Sequence, residues 1–237
     1  MTKLSPLKWF ELLLLFGIPT VFNFIACRLF IPLLSATPVF PIEVNYFRSV
    51  GGFVLMPMFF AAICLSRREA GSYKLSPLLA RMRVKNLSLA DTFWTIATFL
   101  LLVLASYLIA KIIMPRMGMN AMPFFFQNMP LNEKNMWILY LWPLFFFFNI
   151  FGEEFFWRGY IQPRQELLNK KWTWLVHGLL WAFWHLPMGI DLIVASTPIF
   201  FILPAVVQIR KNTTIAIIVH FIFGAFGFLS LALGFVH

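Results

Sequence analysis

Apolar runs long enough to cross a bilayer recur along nearly the whole chain, and they constrain its fold more than any other feature. A spanning helix needs roughly twenty mostly apolar residues. Segments of that kind cover 9–34, 46–65, 92–114, 136–157, 172–189, 192–209 and 214–236. The expected fold is therefore all-α: a polytopic membrane protein, a helical bundle of about seven transmembrane helices, forming one integral membrane domain over 1–237. The sixth run is short and holds Pro198 and Pro204, which predicts a kink or a re-entrant partner. The connection 118–135, with Phe124, Phe125 and Phe126, is expected to dip into the interface without crossing.

Composition closes off the alternatives. With 61% hydrophobic and 12% charged residues and a mean hydropathy of +0.82, a soluble domain could not hide its apolar surface. A net charge of +10 invites a nucleic-acid reading, but the basic residues form no single patch. They sit in the connections between apolar runs, as topology signals do. The expected environment is the lipid bilayer, with no nucleic-acid partner. Lys3, Lys8, Arg67, Arg68, Lys74, Arg81, Arg83, Lys85, Arg158, Arg164, Lys170, Lys171, Arg210 and Lys211 fall on one side. Arg48, Lys111, Arg116 and Lys134 fall on the other. This predicts a cytoplasmic N-terminus and a non-cytoplasmic C-terminus, in the plasma membrane if the source is prokaryotic. The first run is too long for a signal-peptide core and is expected to stay as a helix. Arg28, near the outer end of that run, can snorkel to the headgroups. Cys27 and Cys64 read as packing residues, and the stretch 78–83 as part of a solvated loop in preference to a short basic amphipathic helix on the anionic leaflet.

Few ionisable groups remain at membrane depth: Glu153, Glu154, His177, His185 and His220, with Asn149 as a polar neighbour. Such groups are expensive in hydrocarbon, and function is the default reading for them. The simplest arrangement is one polar site between the fourth, fifth and seventh runs. Successive helical residues point about 100° apart, so Glu153 and Glu154 serve different faces. Glu154 and Arg158, four apart, pair along one face, and Asn149 and Glu153 along the next. That division makes Glu154 structural and leaves Glu153 for chemistry. A His-Glu-x-x-His zinc spacing, a buried aspartyl dyad and a Gly-x-Ser nucleophile are all missing from the sequence. A glutamate with histidines remains, either a general base acting on water or a ligand set for a metal.

Glu153-Glu154-x-x-x-Arg158-Gly159 resembles the first motif of the CPBP (Abi) family, intramembrane proteases related to the type II CAAX prenyl endopeptidases. Trp181-x-x-x-His185 resembles the second motif, with tryptophan where phenylalanine is usual. His220 resembles the third, whose asparagine or aspartate four positions later is replaced by Gly224. The resemblance covers about 145–230. It implies an intramembrane endopeptidase cleaving a membrane-associated peptide or protein, in CAAX-type or bacteriocin and peptide processing. Glu153 would activate water, while His185 and His220 would orient it and stabilise the oxyanion. Glu154, Arg158, Asn149 and Trp181 would be supporting residues. Glu153, His185 and His220 could also ligate a divalent metal such as Zn2+. Two further readings stand beside this one: an impaired relative serving as an immunity or binding scaffold, motivated by Gly224, and a small proton-coupled transporter.

One tension remains in depth. Glu153 and His220 fall near the cytoplasmic third of their runs, whereas His185, counted from Trp172, lies about 20 Å from that edge. Either 159–171 folds into the bilayer, the reading preferred here, or His177 is the partner.

Overall fold

In the computed structural model, which describes residues 4–37, 39–120 and 122–235, every regular element among the described residues is helical. Lys3, Val236 and His237 lie outside them. Helices α1 (Trp9–Ser35), α2 (Ile42–Ala70), α4 (Leu89–Arg116), α7 (Ile190–Arg210) and α8 (Thr213–Ala232), together with the stretch Ile138–Met188, make six candidate spans. A short α3 (Leu75–Arg81) links α2 to α4. The protein is an all-α polytopic bundle, and the aliphatic and aromatic side chains exposed along its outer faces are suited to contact lipid.

The stretch Ile138–Met188 joins the expected fourth and fifth runs. Helix α5 occupies 138–169 as an α-helix (Ile138–Glu153), a π-helical segment (Glu154–Ile161) and a further α-helix (Gln162–Asn169). The chain then turns at Lys170, whose φ is 49°, and α6 (Thr173–Trp184) returns along α5. Gln165 and His177 share a hydrogen bond of 2.8 Å, although a straight helix would separate them by about 18 Å. Only 12 residues of the run 172–189 form α6, about 18 Å of rise and too little to cross a core of about 30 Å. The fifth expected span is thus a partial one, ended by the turn Leu186–Met188 with Pro187 inside it.

This return resolves the depth tension. The backbone of 159–169 continues α5 toward the basic face, so Glu153 lies near the middle of a long helix. Helix α6 starts at the foot of α5 and climbs back, which brings its C-terminal end level with Glu153.

Helix α7 runs unbroken through Pro198 and Pro204. Pro204 has no N–H for the Phe200 carbonyl one turn earlier. Helix α6 packs against that carbonyl at Gly178, where an added Cβ would lie 2.6 Å from the Phe200 oxygen. Gly152 plays the same part between α5 and α2, its Cβ position being 2.6 Å from the Leu55 oxygen.

The stretch 78–83 is not the solvated loop expected: it overlaps the short helix α3, which the alternative reading allows. Leu78, Arg81 and Met82 are buried, and Thr213 bonds the Arg83 and Met82 carbonyls through its amide and hydroxyl. Ion pairs of Glu69 with Arg81 and Arg164, Glu166 with Arg83 and Lys211, and Asp91 with Arg210 tie the helix ends into one basic face. At the opposite face the connection before α5 packs inward. Phe125 stacks on Tyr46 with centroids 3.8 Å apart. The amide and side chain of Asn128 both donate to the buried Glu43 carboxylate, at 2.8 and 3.0 Å.

Candidate active site

The α-to-π change in α5 falls between the two adjacent glutamates, and single-turn departures of this kind are frequent at functional sites. Both side chains are buried, but they face different partners. Glu153 Oε1 accepts from Asn149 Nδ2 at 2.9 Å and its Oε2 from Trp181 Nε1 at 2.8 Å. Glu154 Oε1 lies 2.8 Å from His220 Nδ1 and 3.3 Å from Arg158 Nη1. The guanidinium of Arg158 is fully buried, and none of its nitrogens makes a hydrogen bond to the protein. It lies instead over the Trp181 ring, 3.5 Å from the centroid. In π-helical backbone four residues fall short of a turn, so this pair meets as charges without an aligned hydrogen bond.

His185 follows the last residue of α6, where helix carbonyls begin to lack amide partners. Its Nδ1 is 2.9 Å from the Trp181 carbonyl. A carbonyl only accepts, so Nδ1 carries the proton and the neutral ring keeps a lone pair on Nε2. The ring packs 4.7 Å from Phe200 and edge-on to Trp181 at 5.7 Å. Glu153, Asn149, His185 and His220 line one cavity of about 280 Å³, walled by aromatic residues and by Ser196 and Gly224. Glu154 and Arg158 lie behind its wall. A Cβ at Gly224 would come 3.2 Å from Phe146 Cε2, so Phe146 crowds the space that a side chain at 224 would use.

His177 is not on this cavity. It donates from Nδ1 to Gln165 Oε1 and meets the Phe16 ring edge-on at 5.3 Å. As a ligand set, Glu153, His185 and His220 keep the lone pairs a metal would need, since a histidine held at Nδ1 can still ligate through Nε2; it is their spacing that does not fit. Among the described residues, no three His, Cys, Asp or Glu side chains group closely enough to hold a metal ion.

Two features were not legible in the sequence. The His220–Glu154 contact joins α8 to α5, and nothing along the chain forecasts which carboxylate His220 meets. Asn23 of α1 is fully buried and donates through Nδ2 to the Trp184 carbonyl at 2.9 Å. Cys27 Sγ donates to Asn23 Oδ1 at 3.4 Å, which fixes the amide's orientation. One α1 side chain thereby holds the end of α6 from which His185 projects, and Phe16 of α1 stacks on Trp157 at 4.5 Å.

A buried carboxylate and two imidazoles thus meet around one cavity inside a helical bundle. Residues 135–226 match the family described as type II CAAX prenyl endopeptidase Rce1-like, so this part of the chain is similar to that family. The matched region holds Glu153, His185, His220 and Gly224, and excludes α1 with Asn23. No curated protein and no solved structure matches the chain.

Proposed function

We propose that the protein is an intramembrane endopeptidase in which Glu153 is the general base. The observation that carries this reading is the sorting of the two glutamates. Glu153 reaches the cavity with Asn149, His185 and His220, while Glu154 is held behind it by Arg158 and His220. Each carboxylate oxygen of Glu153 accepts one hydrogen bond and retains a second lone pair, so a water can donate to it without displacing Asn149 or Trp181. Glu153 removes that proton as the water oxygen attacks the peptide carbonyl. The proton then passes to the leaving amine, so the base is regenerated.

The neutral His185 ring offers Nε2 as an acceptor and orients the water. A ring whose Nδ1–H is taken by a carboxylate donates to an oxyanion only when Nε2 also carries a proton, and His220, beside the Glu154 carboxylate, is placed for that part. Gly224 brings no donor. One missing oxyanion donor costs about 10²–10³ in kcat, and the second N–H of Asn149, which also lines the cavity, is a candidate substitute. No step runs through a metal, so cleavage should survive a chelator.

Gly224 also supports the second reading, an impaired relative acting as a binding or immunity scaffold. The Glu153→Gln variant separates the two. The peptidase reading expects cleavage of a peptide library by the purified protein to vanish while the folded state persists. A variant that keeps every phenotype of the parent would leave only the scaffold.

A further inference from the structure

The cavity has a direction. From Glu153 its lining follows α5 back to Trp142, and from His220 it follows α8 on to Leu231. Each is about eleven residues, or roughly 16 Å along the helix, and both lead toward the connection that carries Phe125 and Phe126. Nothing in the basic connections 66–88, 158–173 or 208–214 lines it. On that side Trp157, Arg158, Gln165 and His177 are fully buried and fill the space. A second, polar cavity of about 480 Å³, with Arg28, Asn120, Gln127 and Asp191 on its walls, shares Pro123, Met188 and Leu192 with the first. It gives the apolar chamber a polar neighbour on the face opposite the basic one.

The two faces differ in charge. Lys8, Arg67, Arg68, Lys74, Lys85, Lys170, Lys171, Arg210 and Lys211 crowd the closed face. Clusters of Lys and Arg in short connections stay on the cytoplasmic side. We infer that the site is served from the non-cytoplasmic face, so that its substrate is a peptide or protein segment exposed on the exported side of the membrane. Water enters by the same route, between the 117–137 connection and the start of α7. The inference rests on the peptidase reading for the identity of the cargo, but not for the route.

The route is tested by thiol accessibility in cells and in right-side-out vesicles, with a membrane-impermeant methanethiosulfonate reagent and a Cys64→Ser background that retains buried Cys27. Ser196→Cys reports from the cavity wall, and Tyr73→Cys from an exposed position in the basic connection. The expected result is full labelling of the Ser196→Cys variant before permeabilisation, and labelling of the Tyr73→Cys variant only afterwards. The inference is overturned if the Ser196→Cys variant labels only after permeabilisation, or not at all, or if the Tyr73→Cys variant labels from outside. Labelling needs no turnover, so a protein inert toward every peptide leaves this result standing and faults the peptidase reading alone. Where cleavage is seen, it should occur in right-side-out vesicles given external peptide and be lost in inverted ones; the reverse pattern also overturns the inference.

Discussion

Replacing Arg158 with leucine removes the cation that stands beside two buried carboxylates. The arginine and Glu154 side chains are both at 0% exposure, with Nη1 and Oε1 3.3 Å apart. Breaking such a pair from one side leaves an uncompensated buried charge and costs about 3–5 kcal/mol. The guanidinium also covers the Trp181 ring, a contact worth about 0.5–2 kcal/mol. In a chain of this length each kcal/mol is worth about 2–4 °C, so Arg158→Leu should lower the midpoint of thermal unfolding in detergent by about 10 °C. The partner test is the double variant Glu154→Gln/Arg158→Leu, in which no charge is stranded and the amide oxygen still accepts from His220. It should regain at least half of the lost stability, because residues in contact are not additive. A single variant that melts with the parent, or a double variant that melts as low as the two losses summed, would refute the structural role given to this pair.

Asn23→Leu keeps the volume but removes the donor to the Trp184 carbonyl; losing a bond worth about 1.4 kcal/mol should lower kcat roughly tenfold with KM little changed. Asn23→Asp, which cannot donate when ionised, should behave like the leucine variant, and a change confined to KM would argue against a positioning role. Gly224→Asn alone should not speed cleavage, since its Cβ meets Phe146 at 3.2 Å. Gly224→Asn with Phe146→Leu should raise kcat by about 10-fold or more, and a slower double variant would show that the site depends on the glycine. Gly152→Ala forces α5 and α2 apart at the Leu55 carbonyl and should cost about 1–3 kcal/mol by thermal unfolding; an unchanged midpoint would mean that this contact relaxes freely.

How much of this was legible in the sequence depends on the range of the interaction. The division of Glu153 from Glu154 needed only the helical repeat, and the structure pairs Asn149 with Glu153 as that repeat requires; Arg158 also faces Glu154, but across π-helical backbone that the repeat does not describe. Apolar runs gave the spans for the same reason, because hydropathy is a local property. It failed where two runs share one hairpin: the segment 159–169 reads as polar, yet Arg164 and Gln165 are buried against Glu69 and His177. Helix polarity there is satisfied by neighbouring elements rather than by water. The same holds for 75–85, whose Arg81 and Arg83 find carboxylates more than ten positions away.

Trp181 shows where local pattern and packing part most sharply. As a residue four positions before His185 it reads as an aromatic wall, and phenylalanine would serve. In the fold its indole N–H donates to Glu153, its carbonyl accepts from His185 Nδ1–H, and its ring carries the Arg158 guanidinium. One residue thus couples the proposed base, one proposed histidine and the structural ion pair, the histidine through its backbone carbonyl. Phenylalanine would keep the ring and the carbonyl but lose the N–H, leaving Glu153 Oε2 without that donor. The tryptophan is therefore a second place, with Gly224, where the site departs from the family pattern: one change adds a polar group and the other removes one. Trp181 bonds the Glu153 carboxylate and Gly224 lines the cavity that carboxylate reaches, so the chemistry of Glu153 has to be judged with both in place.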